Sequence, residues 1–162
     1  MIETPTRFNL QCRLNGTRLD LEIEQHELLL DVLRDRLGLR GAKRSCDAQV
    51  CGACTVLVDD APVSACSYLA YEAHGKQVQT IEGLAKEGKL HPIQQAFVQS
   101  GALQCGFCTP GMILTVKALL MESPHPDESA VRDALRGNLC RCTGYSKIVD
   151  AVLAVSQSGA EM

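Results

Sequence analysis

Phe8, Leu10, Cys12 and Leu14 alternate with more polar neighbours, the period of two that marks a half-buried strand. Asn15-Gly16 follows, a pair suited to a two-residue hairpin turn because both central positions need positive φ. Leu19, Leu21 and Ile23 then alternate with Asp20, Glu22 and Glu24, which predicts a return strand with an acidic outer face. Over residues 27–37 the period changes. Leu29, Leu30, Leu33 and Leu37 fall at helical spacing, and Gly38 stands where a helix-closing glycine belongs. A loop of small and polar residues runs from Gly38 to Cys54. Thr55 to Val58 reads as a strand, Asp59-Asp60-Ala61-Pro62 as a turn, and Val63 to Ala65 as a short return ending at Cys66. Gln77 to Ile81 is a further short strand.

Between Glu82 and His91 no period is sustained, and Gly83 and Gly88 interrupt the chain. A domain boundary is expected there, dividing the protein into residues 1–81 and 82–162. Beyond it the apolar spacing is helical. Pro92 suits the first turn of a helix that places Ile93, Ala96 and Phe97 on one face and ends at Gly101. Thr109-Pro110 predicts an N-cap followed by proline at the first helical position, with Met112, Val116, Leu119 and Leu120 on the apolar face. Asp127 can cap a third helix bearing Val131, Ala134 and Leu135 and closed by Gly137. A fourth begins near Tyr145, with Ile148, Val149, Val152 and Leu153 on one face. The expected class is α+β, a mixed sheet with one helix followed by a small four-helix bundle.

The 162 residues allow one domain or two small ones of roughly 80 residues. A hydrophobic fraction of 46% excludes a disordered chain. Lys+Arg 16 against Asp+Glu 19 offers no positive excess for nucleic acid or an anionic membrane surface. No apolar run approaches the roughly 20 residues of a membrane span. The first eight residues lack a basic cap followed by an apolar stretch, so a secretory signal is absent from the chain as given and a cytoplasmic location is expected. The nine cysteines change the picture most. An odd count leaves a thiol unpaired, disulfides are rare in a reducing cytosol, and eight of the nine fall into two tight groups, so metal binding leads.

The first group is Cys46, Cys51, Cys54 and Cys66, spaced C-x4-C-x2-C with eleven residues between the third and the fourth. That is the plant-type [2Fe–2S] spacing. The oxidised assembly of two ferric ions, two sulfides and four thiolates is net negative, so backbone N–H groups must reach the sulfurs. Gly41, Ala42, Ala48, Gly52 and Ala53 let the backbone approach. A four-cysteine zinc site is the alternative, although zinc sites usually pair two short knuckles. The second group is Cys105, Cys108, Cys140 and Cys142, a C-x2-C and a C-x-C separated by thirty-one residues. By spacing alone it suits zinc as well as iron. Each knuckle lies beside a helix terminus, where free N–H groups favour negative charge.

The fuller contexts are Gln104-Cys105-Gly106-Phe107-Cys108-Thr109-Pro110-Gly111-Met112 and Gly137-Asn138-Leu139-Cys140-Arg141-Cys142-Thr143-Gly144-Tyr145. With them the chain resembles, over nearly its whole length, the small iron–sulfur subunit of the molybdenum hydroxylases, the xanthine oxidase family. It looks most like the separate subunit of three-subunit bacterial members, such as carbon monoxide dehydrogenase and N-heteroaromatic or nicotine-type dehydrogenases. The resemblance implies a β-grasp, plant-ferredoxin-like domain holding one [2Fe–2S] cluster and a four-helix domain holding another. It implies electron transfer from a molybdopterin cofactor in a large subunit, through the Cys105/Cys108/Cys140/Cys142 cluster and then the Cys46/Cys51/Cys54/Cys66 cluster, to FAD in a medium subunit. A dimer of heterotrimers is the expected assembly. Gln104 and Cys142 match the positions that contact the pterin in relatives. The holoenzyme is expected to hydroxylate an N-heteroaromatic or aldehyde-type substrate with water, with carbon monoxide oxidation as the runner-up. Relatives often carry glycine at the positions of Ser45 and Gln49, a departure that bears on the backbone path of the first loop.

Cys12 reads as a small buried apolar residue on its strand face. Lys43, Arg44 and Arg141 neighbour the expected ligands and either offset cluster charge or are solvated loop residues. His26, His74, His91 and His125 read as surface or capping residues. No nucleophile with its base, paired carboxylates or phosphate loop is present, so no catalytic residue is assigned. Two rivals stand beside the electron relay: a zinc-stabilised interaction module and a free-standing ferredoxin.

Overall fold

The computed structural model describes residues 7–158. Residues 1–6, on which the expectation about a leader partly rests, and residues 159–162 lie outside the described part. Strands β1 (Arg7–Leu14) and β2 (Thr17–Glu24) form the expected hairpin, in register from Arg7 opposite Glu24 to Leu14 opposite Thr17. Asn15 and Gly16 take φ values of 51° and 83°, the positive pair the turn demands. The Asn15 side chain also clasps Thr80, donating to its Oγ1 (2.9 Å) and accepting from its backbone N–H (2.8 Å). Leu10, Cys12 and Ile23 face the core, as the alternation requires.

Helix α1 (Leu29–Asp31) runs into a wider π-type turn, Val32–Arg36. No side chain caps it. Its first N–H groups are taken by the carbonyls of Tyr68 (2.8 Å, from Leu29) and Ala65 (3.0 Å, from Leu30), so the helix start is tied to the segment carrying Cys66. Strands β3 (Thr55–Val58), β4 (Ala61–Ser64) and β5 (Gln77–Gln79) complete a five-stranded sheet in the order β2-β1-β5-β3-β4. The β1–β5 pair is parallel and the others are antiparallel. The turn before β4 is shorter than expected. Asp59 and Asp60 alone make it, at φ values of 48° and 65°, and Pro62 lies inside the strand. Proline is tolerated there because β4 is an edge strand with a free side. β5 also ends at Gln79, short of the expected Ile81, which opens a 3-10 turn, Ile81–Gly83.

The helical half comprises α2 (Pro92–Gln99), α3 (Thr109–Glu122), α4 (Glu128–Ala134) and α5 (Ser146–Gln157). His91 caps α2, its Nδ1 accepting from Ile93 N–H at 3.3 Å, and Asp127 caps α4, accepting from Ala130 N–H at 2.8 Å. Thr109 is the first residue of α3 and not its cap. Cys108 occupies the cap position with no capping bond from its side chain. The four helices share one core built on Ile93, Phe97, Met112, Leu114, Leu120, Val131, Ile148 and Val152.

The two cores meet at β3. Val56 and Val58 belong to the core that holds Leu29 and Leu30 of α1, whereas Leu57, fully buried between them, joins the helical core. Alternation along one strand therefore joins the two halves back to back, and burying Leu57 contributes roughly 2 kcal/mol to that junction. The class is α+β, and no helix among the described residues is long and apolar enough to cross a membrane.

Candidate metal centres

The first cysteine loop is shaped by residues in the left-handed region: Asp47 (φ 51°), Gln49 (φ 59°) and Gly52 (φ 66°). These turns aim backbone N–H groups inward. Cys46 Sγ receives Ala48 N–H at 3.5 Å and Cys51 N–H at 3.4 Å. The N–H groups of Ala48, Cys51 and Val50 stabilise its thiolate and hold its pKa at about 6. Cys54 and Cys66 are buried, and burial pushes the Cys54 thiol up to about 11. Gln49 keeps a positive φ of 59°, one that a glycine would adopt freely. Gln49→Gly is expected to stabilise the protein by about 1 kcal/mol by removing left-handed strain, read as a higher thermal midpoint at unchanged iron content.

In the second group Cys105 and Cys142 are exposed, and Cys108 and Cys140 are half-buried. The Cys142 thiol donates to Cys105 Sγ at 3.6 Å. Cys140 Sγ receives the Thr143 hydroxyl at 3.1 Å and the Thr143 N–H at 3.4 Å. Burial raises the Cys140 pKa, but the Thr143 hydroxyl and N–H outweigh it and the net shift is downward. Cys105 is lowered by the Phe107 N–H, whereas burial and the Cys140 thiol push Cys108 up to about 12. Gln104 Nε2 donates to the Cys142 carbonyl at 3.2 Å, so the two positions matched to pterin contact share one exposed edge.

Within each group the thiols influence one another in twos, Cys46 with Cys51, Cys54 with Cys66, Cys105 with Cys142 and Cys108 with Cys140, and the Cys142–Cys105 contact is a hydrogen bond at 3.6 Å. A single zinc would need four sulfurs mutually about 3.8 Å apart around one point. Among the described residues, no three His, Cys, Asp or Glu side chains are arranged to hold one metal ion. A diiron cluster asks instead for two thiolates on each of two irons, and the pairs meet that demand. The uncapped N-terminus of α3 beside Cys108 would set positive partial charge against the negative charge of a cluster held there.

Residues 12–85 match the family described as 2Fe-2S iron-sulfur cluster binding domain, and residues 80–153 that described as [2Fe-2S] binding domain. The chain is 46% identical, over 90% of its length and 92% of the relative's, to 6-hydroxypseudooxynicotine dehydrogenase complex subunit beta of Paenarthrobacter nicotinovorans. It is 46% identical, over 90% of its length and 93% of the relative's, to the nicotinate dehydrogenase small FeS subunit of Eubacterium barkeri. The chain belongs to the small iron–sulfur subunits of the molybdenum hydroxylases. Its fold superimposes on quinoline 2-oxidoreductase from Pseudomonas putida 86 with a TM-score of 0.90 at 42% identity, covering 93% of this chain and 94% of that one. This iron–sulfur subunit has [2Fe–2S] clusters as its own cofactors, while molybdopterin and FAD belong to partner subunits of the family. Both halves carry [2Fe–2S] family matches, so neither a zinc module nor a free-standing ferredoxin describes it.

The iron–sulfur subunit also contains a junction that motif spacing did not reveal. Asn138 is buried at 3% exposure, its amide donating to Gly52 O (3.2 Å) and Thr55 Oγ1 (3.4 Å) and accepting from Thr115 Oγ1 (2.9 Å). Next to it, Leu139 N–H donates to Cys51 O at 2.9 Å. Tyr145, at φ 68°, receives Cys140 N–H on its hydroxyl (2.9 Å) and donates to Asn138 O (3.1 Å). The two cysteine loops are thus fastened to each other by buried hydrogen bonds. A polar residue beside the C-x-C knuckle was the available signal. Among the histidines, His91 caps α2, His74 Nδ1 accepts from Gln11 N–H at 3.2 Å, and His125 Nδ1 lies 2.9 Å from Ser156 O.

Proposed function

We propose that this subunit relays electrons from a molybdopterin centre in a large subunit to FAD in a medium subunit, within a dimer of heterotrimers. Cys105, Cys108, Cys140 and Cys142 hold the cluster that receives them, and Cys46, Cys51, Cys54 and Cys66 the cluster that passes them on. Each cluster supplies one-electron acceptance and release. The protein supplies the thiolate pairs, the N–H groups that offset their charge, and the fastened loops that fix one centre against the other. The observation that carries this reading is the fastening of the two cysteine loops to each other, with the Asn138 amide on Gly52 O at 3.2 Å and Leu139 N–H on Cys51 O at 2.9 Å.

Gln104 and Cys142 are proposed to touch the pterin, supported by their mutual hydrogen bond on an exposed edge. The exit is proposed at Asp47, Ala48 and Val50, which are exposed beside Cys46. The division into residues 1–81 and 82–162 is supported by the two family matches, which overlap only at residues 80–85, and a cytoplasmic location by nine cysteines that form no disulfide among the described residues. The holoenzyme is proposed to hydroxylate an N-heteroaromatic or aldehyde-type compound with water, supported by relatives named for nicotinate and for quinoline. The test is purification of the tagged chain with its partners, then substrate-dependent dye reduction in ¹⁸O-labelled water. Label in a hydroxylated heteroaromatic or in a carboxylic acid is expected. Turnover of carbon monoxide alone, or a chain that purifies without molybdenum- and flavin-bearing partners, overturns the reading.

A further inference from the structure

Lys43 belongs to the first cysteine loop by its backbone, whose N–H donates to Ala53 O at 2.8 Å. Its side chain leaves that loop. Nζ donates to Gly41 O at 3.0 Å and lies over the Phe107 ring, 5.7 Å from the centroid. Phe107 stands between Cys105 and Cys108. A cation three residues before Cys46 is therefore held against the knuckle of the other group.

The neighbouring charges differ from it. Arg44 is paired with Asp31 and with Asp47 (2.7 Å). Arg34 points its guanidinium at the carbonyls of Arg40 and Ala42. Arg141 is exposed, where water and salt screen its charge. Lys43 is half-buried and makes no ion pair among the described residues. Glu82 acts on it through space, yet its Oε1 is engaged by Gly41 N–H at 2.7 Å. Burial and Arg34 lower the pKa of Lys43, and Glu82, Cys108 and Cys105 oppose them.

We propose that Lys43 holds up the reduction potential of the second cluster and so sets how an electron divides between the two clusters. Reduction changes one ferric ion to ferrous and adds one negative charge, with no proton required. A half-buried ammonium without a carboxylate partner favours the more negative form. The thiols that act on its ammonium are those of Cys108 and Cys105 and its ring contact is Phe107 between them, so the first cluster is expected to respond less.

This inference rests on the two-cluster reading, and its test separates the two. Iron content and the spin count of the dithionite-reduced complex read the clusters. An equilibrium redox titration followed by EPR, in which the two signals are resolved, reads Lys43. In the Lys43→Met complex the ratio of reduced second to reduced first cluster is expected to fall about tenfold, equivalent to about 59 mV for one electron. Lys43→Arg, which keeps the charge, should stay within about twofold of the parent. If Lys43→Met loses iron, Lys43→Gln carries the same reading. Equal shifts of both clusters, no shift, or a shift in Lys43→Arg as large as in Lys43→Met overturns the proposal.

Discussion

Cys105→Ala protein will hold about half the iron and half the acid-labile sulfide of its parent, and its helical half will unfold first on heating. Cys105 is exposed, so trimming its side chain leaves no cavity and removes little packing. Any large loss of stability therefore reports the missing cluster. Cys105 and Cys108 lead into α3, while Cys140 and Cys142 lead into α5. A cluster bridging them staples two helices of the bundle. Metal-binding free energy of this kind is folding free energy. A loss of even about 2 kcal/mol shifts a unit of this size by about 10 °C. Calorimetry with iron and sulfide analysis checks both halves of the prediction. Unchanged iron would show that Cys105 is not a ligand.

Gly52→Ala should damage the protein more than any other glycine substitution in its turns. A Cβ at Gly52 would overlap Gly137 O and the Asn138 amide, and its φ of 66° is strained for alanine. The carbonyl belongs to the backbone, so it has no rotamer through which to give way. Gly111 presses on the same spot, where a Cβ would overlap Gly52 O. Left-handed strain and overpacking together cost about 3 kcal/mol or more. The damage falls at the junction of both cysteine loops, so heating should bleach the visible circular dichroism of both clusters together and earlier than in the parent. Gly16→Ala is the control. Its φ is 83° with nothing within 4 Å of the added Cβ, so only strain of about 1 kcal/mol applies. Equal midpoints for the two variants would mean that the loops are not interlocked at Gly52.

The sequence carried most of the local structure because local rules dominate there. The alternation through Leu10 and Cys12, the Asn15-Gly16 turn and the Asp127 cap each depend on near neighbours. The cysteine spacings carried the grouping of the thiols for the same reason. The reading failed where a distant contact overrides a local preference. Thr109 looked like a cap, but Cys108 occupies the cap position, its carbonyl accepting from Met112 N–H at 3.1 Å. Pro62 looked like a turn residue, yet an edge strand accommodates it. Asn138 passed as one letter of a motif because its partners Gly52, Thr55 and Thr115 come from the other cysteine loop, β3 and α3. Lys43 could be placed beside Cys46 by sequence, whereas only the fold puts its ammonium on Phe107.

Metal and sulfide analysis of the anaerobically purified chain, with a spin count after dithionite reduction, bears on all of this most directly. Eight thiols in four pairs predict about four irons, about four acid-labile sulfides and two distinguishable half-integer signals per chain. A colourless protein holding zinc, without sulfide and without a reduced-state signal, would contradict the account.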